Sequence, residues 1–275
     1  MKKFTISFLL ALVVVGSSFA HFQMIYTPES HVSGNEVEFR LVFTHPAESG
    51  HTMVIGKDKN GSVKGFKEFF SIHKGEKTDL LKGLKKSKFK TAENQDEAYN
   101  FTLDKSFGFR GAGDWVLVGV PHPYYEPAED IYIQQITKVM INKNDMPTDW
   151  QERCAEGYPE IMPLVAPYEV LVGGVFRGVV VDSNGEPVPN AEIEFEYINY
   201  DVDMKKNEFK SRAKLKTESA AAGVILADQN GVFSFVPPRE GYWGFAALEA
   251  GNQEEYDGKE LSQDAVLWIE AAKVK

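Results

Sequence analysis

The chain has 275 residues, with 40 Asp and Glu against 30 Lys and Arg, a net charge of −10. That balance argues against nucleic acid as a partner, because phosphate contacts need clustered Lys and Arg. A single cysteine, Cys154, excludes an internal disulfide, so stability must come from buried apolar surface, for which this length is ample across about two domains.

Residues 1–20 read as a targeting signal. Lys2 and Lys3 open it, an apolar run from Phe4 to about Val15 follows, and Ser18-Phe19-Ala20 fits the small-x-small cleavage rule. The apolar run is shorter than the roughly 20 residues a membrane span needs, and no later run reaches that length. The expected product is exported to the periplasm, does not span a membrane and begins at His21. It carries 28 basic residues against the same 40 acidic ones, a net charge of −12.

Past the signal the pattern is strands and turns. Residues 35–44 alternate, with Val37, Phe39, Leu41 and Phe43 on one face and Glu36, Glu38 and Arg40 on the other. That predicts a half-buried antiparallel strand. Further strands are predicted at 52–56, 65–70, 98–103, 115–120 and 131–141, where β-branched and aromatic residues dominate. Asn60-Gly61 predicts a hairpin turn. The lysine-rich stretch 74–90 reads as a solvated strand-and-loop surface. A short helix is predicted near 148–154, capped by Thr148 or Asp149. Residues 143–167 carry Pro147, Pro159, Pro163 and Pro167 and read as a linker.

Strands are predicted again at 175–181, 191–197, 232–235 and 241–248, separated by the turns Asp182-Ser183-Asn184-Gly185 and Asp228-Gln229-Asn230-Gly231. The order of strand, D-x-x-G-x-P-V, A-x-I, D-x-x-G-x-F-x-F and G-Y, from Val170 to the end, resembles the carboxypeptidase-regulatory or transthyretin-like β-sandwich. Residues 200–221 form a long polar insertion, and loops of that length are functional or mobile. The expected fold is all-β, two β-sandwich-like domains in series, 21–168 and 169–275.

Three places carry candidate chemistry. A chain beginning at His21 has an α-amine and an imidazole on one residue, which together close a chelate. The amine has a reference pKa of about 7.7–8.0, so it can lose its proton to a metal near neutral pH. His45, in Phe43-Thr44-His45-Pro46, falls where Pro46 ends a strand, on the side of Phe43 and Leu41. A second imidazole there would complete a nitrogen site for Ni2+, Co2+, Cu2+ or Zn2+. Glu48 and His51 follow on the same loop. The segment Pro121-His122-Pro123-Tyr124-Tyr125-Glu126-Pro127-Ala128-Glu129-Asp130 gathers His122, Glu126 and Glu129 on a proline-stiffened connection. His31 and His73 read as solvated.

Ala20-His21-Phe22-Gln23-Met24, Phe43-Thr44-His45-Pro46, Tyr124-Tyr125-Glu126-Pro127-Ala128-Glu129-Asp130, Phe176-Arg177-Gly178 and Gly241-Tyr242-Trp243-Gly244-Phe245-Ala246-Ala247-Leu248 together resemble the periplasmic component family linked to nickel and cobalt uptake transporters. The likeness runs through the chain in order. It implies a non-enzymatic protein that captures Ni2+ or Co2+ for the membrane subunits of a transporter. The metal would be held by His21, His45 and an oxygen from Glu126, Glu129 or a neighbouring Tyr, with His51 and His122 as further candidates. The family often has an apolar or small residue where His122 stands, a departure in this chain. Two alternatives remain open on the residues alone. One is a copper-dependent oxidative enzyme built on the N-terminal histidine; the other is a metal-free docking module. No Ser/His/Asp arrangement, phosphate-cradling glycine loop or zinc-protease helix motif is present to support a hydrolase.

Overall fold

A computed structural model describes residues 21–48, 52–91, 97–210, 212–217 and 220–274. Residues 1–20, where a targeting signal is expected, and His51 lie outside the described residues. The chain is all-β, and among the described residues its strands form three sheets. The first runs in the order Phe22–Tyr26, Phe39–Thr44, Glu97–Leu103, Lys85–Lys90, Glu208–Phe209, Val202–Asp203. The second and largest runs Ala222–Leu226, Glu192–Tyr197, Gly241–Ala247, Lys259–Ala272, Ile131–Lys143, Gly113–Pro121, Phe66–His73, Glu76–Asp79. The third joins Glu160–Pro163, Phe176–Val181 and Val232–Phe235.

The large sheet belongs to both halves of the chain. Ile131–Lys143 pairs in parallel with Lys259–Ala272, from Tyr132 opposite Leu261 to Val139 opposite Trp268. Side chains alternate across each strand. Val139, Ile141, Val266 and Trp268 face the six-stranded sheet, in one core with Phe22, Met24, Phe39 and Leu41. Leu267 and Ile269 point the other way, into a core with Phe176, Val180, Phe233 and Phe245. Met140 and Ile136 lie on that second side too, with Cys154, Ala155 and Tyr168. Two sandwiches therefore share one sheet and use opposite faces of it. Strands covered on both faces read as continuous apolar runs rather than alternating ones.

Several sequence expectations are corrected. Phe39–Thr44 is buried on both faces. Its Arg40 is 7% exposed, because the 200–221 insertion packs across what had been read as the wet side. There Arg40 Nε donates to Asn207 Oδ1 at 2.6 Å and its other nitrogens reach Glu38, Phe39 O and Met204 O. The predicted strand 52–56 reduces to a single bridge, Met53 to Phe43. The predicted helix at 148–154 is a turn. Asp114, fully buried, collects the amide N–H groups of Thr148, Asp149 and Trp150 on one oxygen, and Asp149, the expected cap, accepts the Lys74 and Gly75 N–H groups instead. The proline-rich segment 143–167 is no plain linker, since it contributes strand Glu160–Pro163. The lysine-rich stretch is strand Glu76–Asp79, a short 3-10 turn and strand Lys85–Lys90, largely exposed as expected.

Three D-x-N-G turns share one construction. In each, the Asp Oδ1 accepts the amide N–H groups two and four residues on, from Asp58 to Asn60 and Ser62, from Asp182 to Asn184 and Glu186, and from Asp228 to Asn230 and Val232. The glycine takes positive φ, +84°, +88° and +72° in turn, where a Cβ would be strained.

Gly244 meets a different need. It lies opposite Trp268 in the pairing of Gly241–Ala247 with Lys259–Ala272. A Cβ there would come 2.7 Å from the Trp268 ring, which is 1% exposed and donates its Nε1–H to Gln23 O at 3.0 Å. Gly244→Ala is expected to cost about 1–3 kcal/mol through overpacking, read as a lower urea midpoint. An unchanged midpoint would mean the indole has room to swing aside.

Candidate metal centre

The two leading histidines meet because of strand register. Phe22–Tyr26 runs antiparallel to Phe39–Thr44 with Phe22 opposite Thr44. The next residue on each side, His21 and His45, therefore falls opposite the other on one face. Pro46 then ends the ladder, since it has no N–H to give. The two imidazole rings lie 4.5 Å apart between centroids, inclined at 44°.

The first strand is an edge strand, and edge strands expose an unpaired row of main-chain groups. Here the large sheet covers that row with side chains. The Gln23 N–H donates to Gln135 Oε1 at 2.7 Å, and Gln23 O accepts from Trp268 Nε1. Gln135 is itself held by donating to Asp264 Oδ2 at 3.3 Å. Asp264 is fully buried; desolvation pushes its carboxyl up to about 6. The backbone two residues from His21 is thus fixed from both sides.

Glu126 supplies the charge beside the rings. It ends strand Tyr124–Glu126 and lies opposite Ile131 in the pairing with Ile131–Lys143. His21 Nε2 is 3.2 Å from Glu126 Oε2, and the two side chains are 11% and 10% exposed. The other carboxylate oxygen, Oε1, accepts the Ala128 N–H at 2.9 Å, so the carboxylate cannot rotate freely. Phe43 and Tyr124 close the apolar side, with ring centroids 5.5 and 6.0 Å from His21. Burial, and next the charge of Glu126, push the Tyr124 hydroxyl up to about 12.

The remaining candidates are placed differently. Glu129 is exposed on the turn that links the two paired strands. His122 lines a small cavity with Gln23, Phe43, Gly56, Tyr124 and Gln135. Burial, with Lys64 and Lys67 nearby, lowers its pKa. His31 Nε2 lies 2.7 Å from Tyr168 O and its Nδ1 3.3 Å from Asp145. His73 stacks on Trp115 at 4.0 Å, with Nδ1 donating to Asp114 O. His31 is exposed, as its polar surroundings predict, whereas His73 is part-buried against Trp115. Cys154 is buried, and desolvation pushes its thiol up to about 12, a state that is neither reactive nor ligating.

Among the described residues, no group of three or more His, Cys, Asp or Glu side chains is arranged to hold a metal ion. A centre at His21 and His45 therefore requires a donor outside that set, and the main-chain nitrogen of His21 is the nearest by construction. Sequence reasoning missed Gln135 and Trp268, which anchor the strand from 112 and 245 residues away; no local pattern marks such contacts. Among the described residues, no helix is long and apolar enough to cross a membrane.

Residues 18–251 match the family described as "Domain of unknown function (DUF4198)". No curated protein matches the sequence. Among solved structures, the D0-D1 domain of intimin is similar at 8% identity and TM-score 0.20, with 91% of this chain and 99% of that chain covered. Dimeric latent PorU from Porphyromonas gingivalis shows 11% identity and TM-score 0.21, covering 90% of this chain and 20% of that one. E. coli alpha-2-macroglobulin shows 10% identity and TM-score 0.21, covering 92% and 14%.

Proposed function

We propose a metal-capture role for this chain, which belongs to the DUF4198 family. In this reading the protein is exported to the periplasm, cut after Ala20, and takes up Ni2+ or Co2+ for delivery to the membrane subunits of an uptake transporter. The observation that carries the reading is the meeting of His21 and His45, rings 4.5 Å apart, with Glu126 at 3.2 Å from His21 Nε2.

The side of the His21 ring that faces Glu126 matters. With Nε2 against a carboxylate, a metal would take Nδ1, the nitrogen that closes a ring with the α-amine of the same residue. Carboxylates placed this way orient a ligating imidazole and make it a stronger donor. Glu126 then acts behind the ligand, and His45 offers the third nitrogen. Three nitrogens suit borderline Ni2+ and Co2+. An open, three-donor shell also suits a carrier that must release its cargo.

The segment in which the resemblance to transporter-linked proteins is carried spans both halves, so delivery would use more than the metal centre alone. The test is calorimetric titration of protein beginning at His21 with Ni2+ and with Co2+. One saturable site is expected, lost in His21→Ala. Equal binding by His21→Ala would remove the centre, and with it the capture reading.

A further inference from the structure

The loop that carries His45 is held by the other half of the chain. Residues 196–200, at the end of strand Glu192–Tyr197 and just past it, make four hydrogen bonds to the main chain of residues 46–48. The Ala47 N–H donates to Glu196 Oε2 at 3.0 Å. The Asn199 N–H donates to Pro46 O at 3.0 Å, and Asn199 Nδ2 donates to Ala47 O at 2.9 Å. The Tyr200 hydroxyl donates to Glu48 O at 3.3 Å.

These contacts are built, not incidental. Glu196 is 1% exposed and Asn199 3%. Asn199 uses every polar atom it has. Its Oδ1 accepts the Leu215 N–H at 2.7 Å, its main-chain O accepts the Lys214 N–H at 2.8 Å, and its Nδ2 also reaches Leu215 O. One asparagine thus ties the His45 loop to the 200–221 insertion. Burying a polar group costs free energy unless it is bonded, and burial raises the Glu196 carboxyl well above its ordinary range. The contact needs only an oxygen lone pair, which the carboxyl supplies in either protonation state. The peptide planes fixed in this way are those immediately after His45, where Pro46 has ended the strand and the ladder no longer sets the backbone.

We infer that Glu196 and Asn199 are positioning residues: through the main chain of Pro46 and Ala47 they keep the His45 imidazole in register with His21, so the C-terminal half of the chain sets the affinity of the metal centre without touching the metal. This rests on the metal-capture reading.

The test uses the whole chain beginning at His21, with Ni2+ affinity measured by calorimetry and the paramagnetic resonance spectrum of bound Cu2+ as a report on the donor set. Glu196→Ala and Asn199→Ala are expected to weaken Ni2+ binding about ten-fold, the scale of one lost buried hydrogen bond. They should also shift the Cu2+ spectrum as His45 leaves the ion. Glu196→Gln keeps a carbonyl to accept from Ala47 and should restore both readouts, which a general loss of stability would not. Should Asn199→Ala fail to fold, the Glu196 pair decides alone. Unaltered affinity and spectrum in folded Glu196→Ala overturns the clamp, and leaves the metal reading standing if His21→Ala still abolishes binding. Absence of Ni2+ and Cu2+ binding by the unaltered protein overturns both.

Discussion

One extra residue ahead of His21 is expected to weaken Ni2+ binding by at least about a hundred-fold, or about 2.7 kcal/mol. The extension leaves both imidazoles, Glu126 and the fold as they are. What it removes is the amine, by turning it into an amide that holds its proton far too firmly to ligate near neutral pH. The two histidines and Glu126 are not by themselves a three-donor group, so the amine decides whether a centre forms. A second signature follows from proton linkage. Below the amine's reference pKa of about 7.7–8.0, each ion bound must displace a proton, so the apparent affinity should fall about ten-fold per unit as pH drops. Titrations near pH 6 and near pH 8, within reach of that reference value, should therefore differ for the His21 form and differ much less for the extended one. Cu2+ will bind more tightly than Ni2+ on intrinsic grounds, so the comparison must be made with Ni2+ and Co2+. Equal affinities for the two forms would rule out the chelate, whatever metal is bound.

The strands of this fold were legible wherever one local pattern sufficed. Trp115 to Val120, Val232 to Phe235 and Gly241 to Ala247 all lie where β-branched and aromatic runs predict them. The errors have a common cause in partners distant along the chain. Arg40 looks like part of a wet face with Glu36 and Glu38, and Glu36 does stay exposed, but Asn207 and Met204 close over the guanidinium. Asp149 looks like a helix cap, yet its carboxylate accepts the N–H groups of Lys74 and Gly75 from a turn far away in the chain. Lys259–Ala272, the longest strand, went unread because it is buried on both faces and does not alternate. The candidate site divides in the same way. His21 and His45 announce themselves, one by its place after the expected signal and one by the strand-ending proline. Glu126 is visible only as a member of an acidic loop. That it faces Nε2 of His21 depends on a pairing with Ile131–Lys143 that no spacing encodes. Asn199 is one polar residue in a polar stretch and carries no signal at all.

Replacing Lys138 by Met is expected to cost about 3–5 kcal/mol, because it strands a buried carboxylate. Lys138 sits in the middle of Ile131–Lys143, on the face away from the histidines, and its ammonium meets Glu160; the two side chains are 3% and 2% exposed. Glu160 Oε2 also takes the N–H groups of Cys154 and Ala155, each at 2.9 Å. This one carboxylate therefore fastens the proline-rich segment 143–167 to the shared sheet. Without the ammonium it keeps two neutral donors, too few to offset the loss of water around a full charge. A double replacement, Lys138→Met with Glu160→Gln, removes the charge and should recover most of the loss, since a buried pair is worth less than the damage done by halving it. Urea midpoints of the three proteins measure this, and a midpoint unchanged in Lys138→Met would show that water reaches Glu160. The pair lies on the opposite face of the sheet from Gln135, which anchors the strand leading to His21. Ni2+ affinity in folded Lys138→Met should then equal that of the unaltered protein. That equality is the counterpart of the Glu196 result: stability lost from one face leaves the metal centre alone, whereas a single hydrogen bond lost from the His45 loop does not.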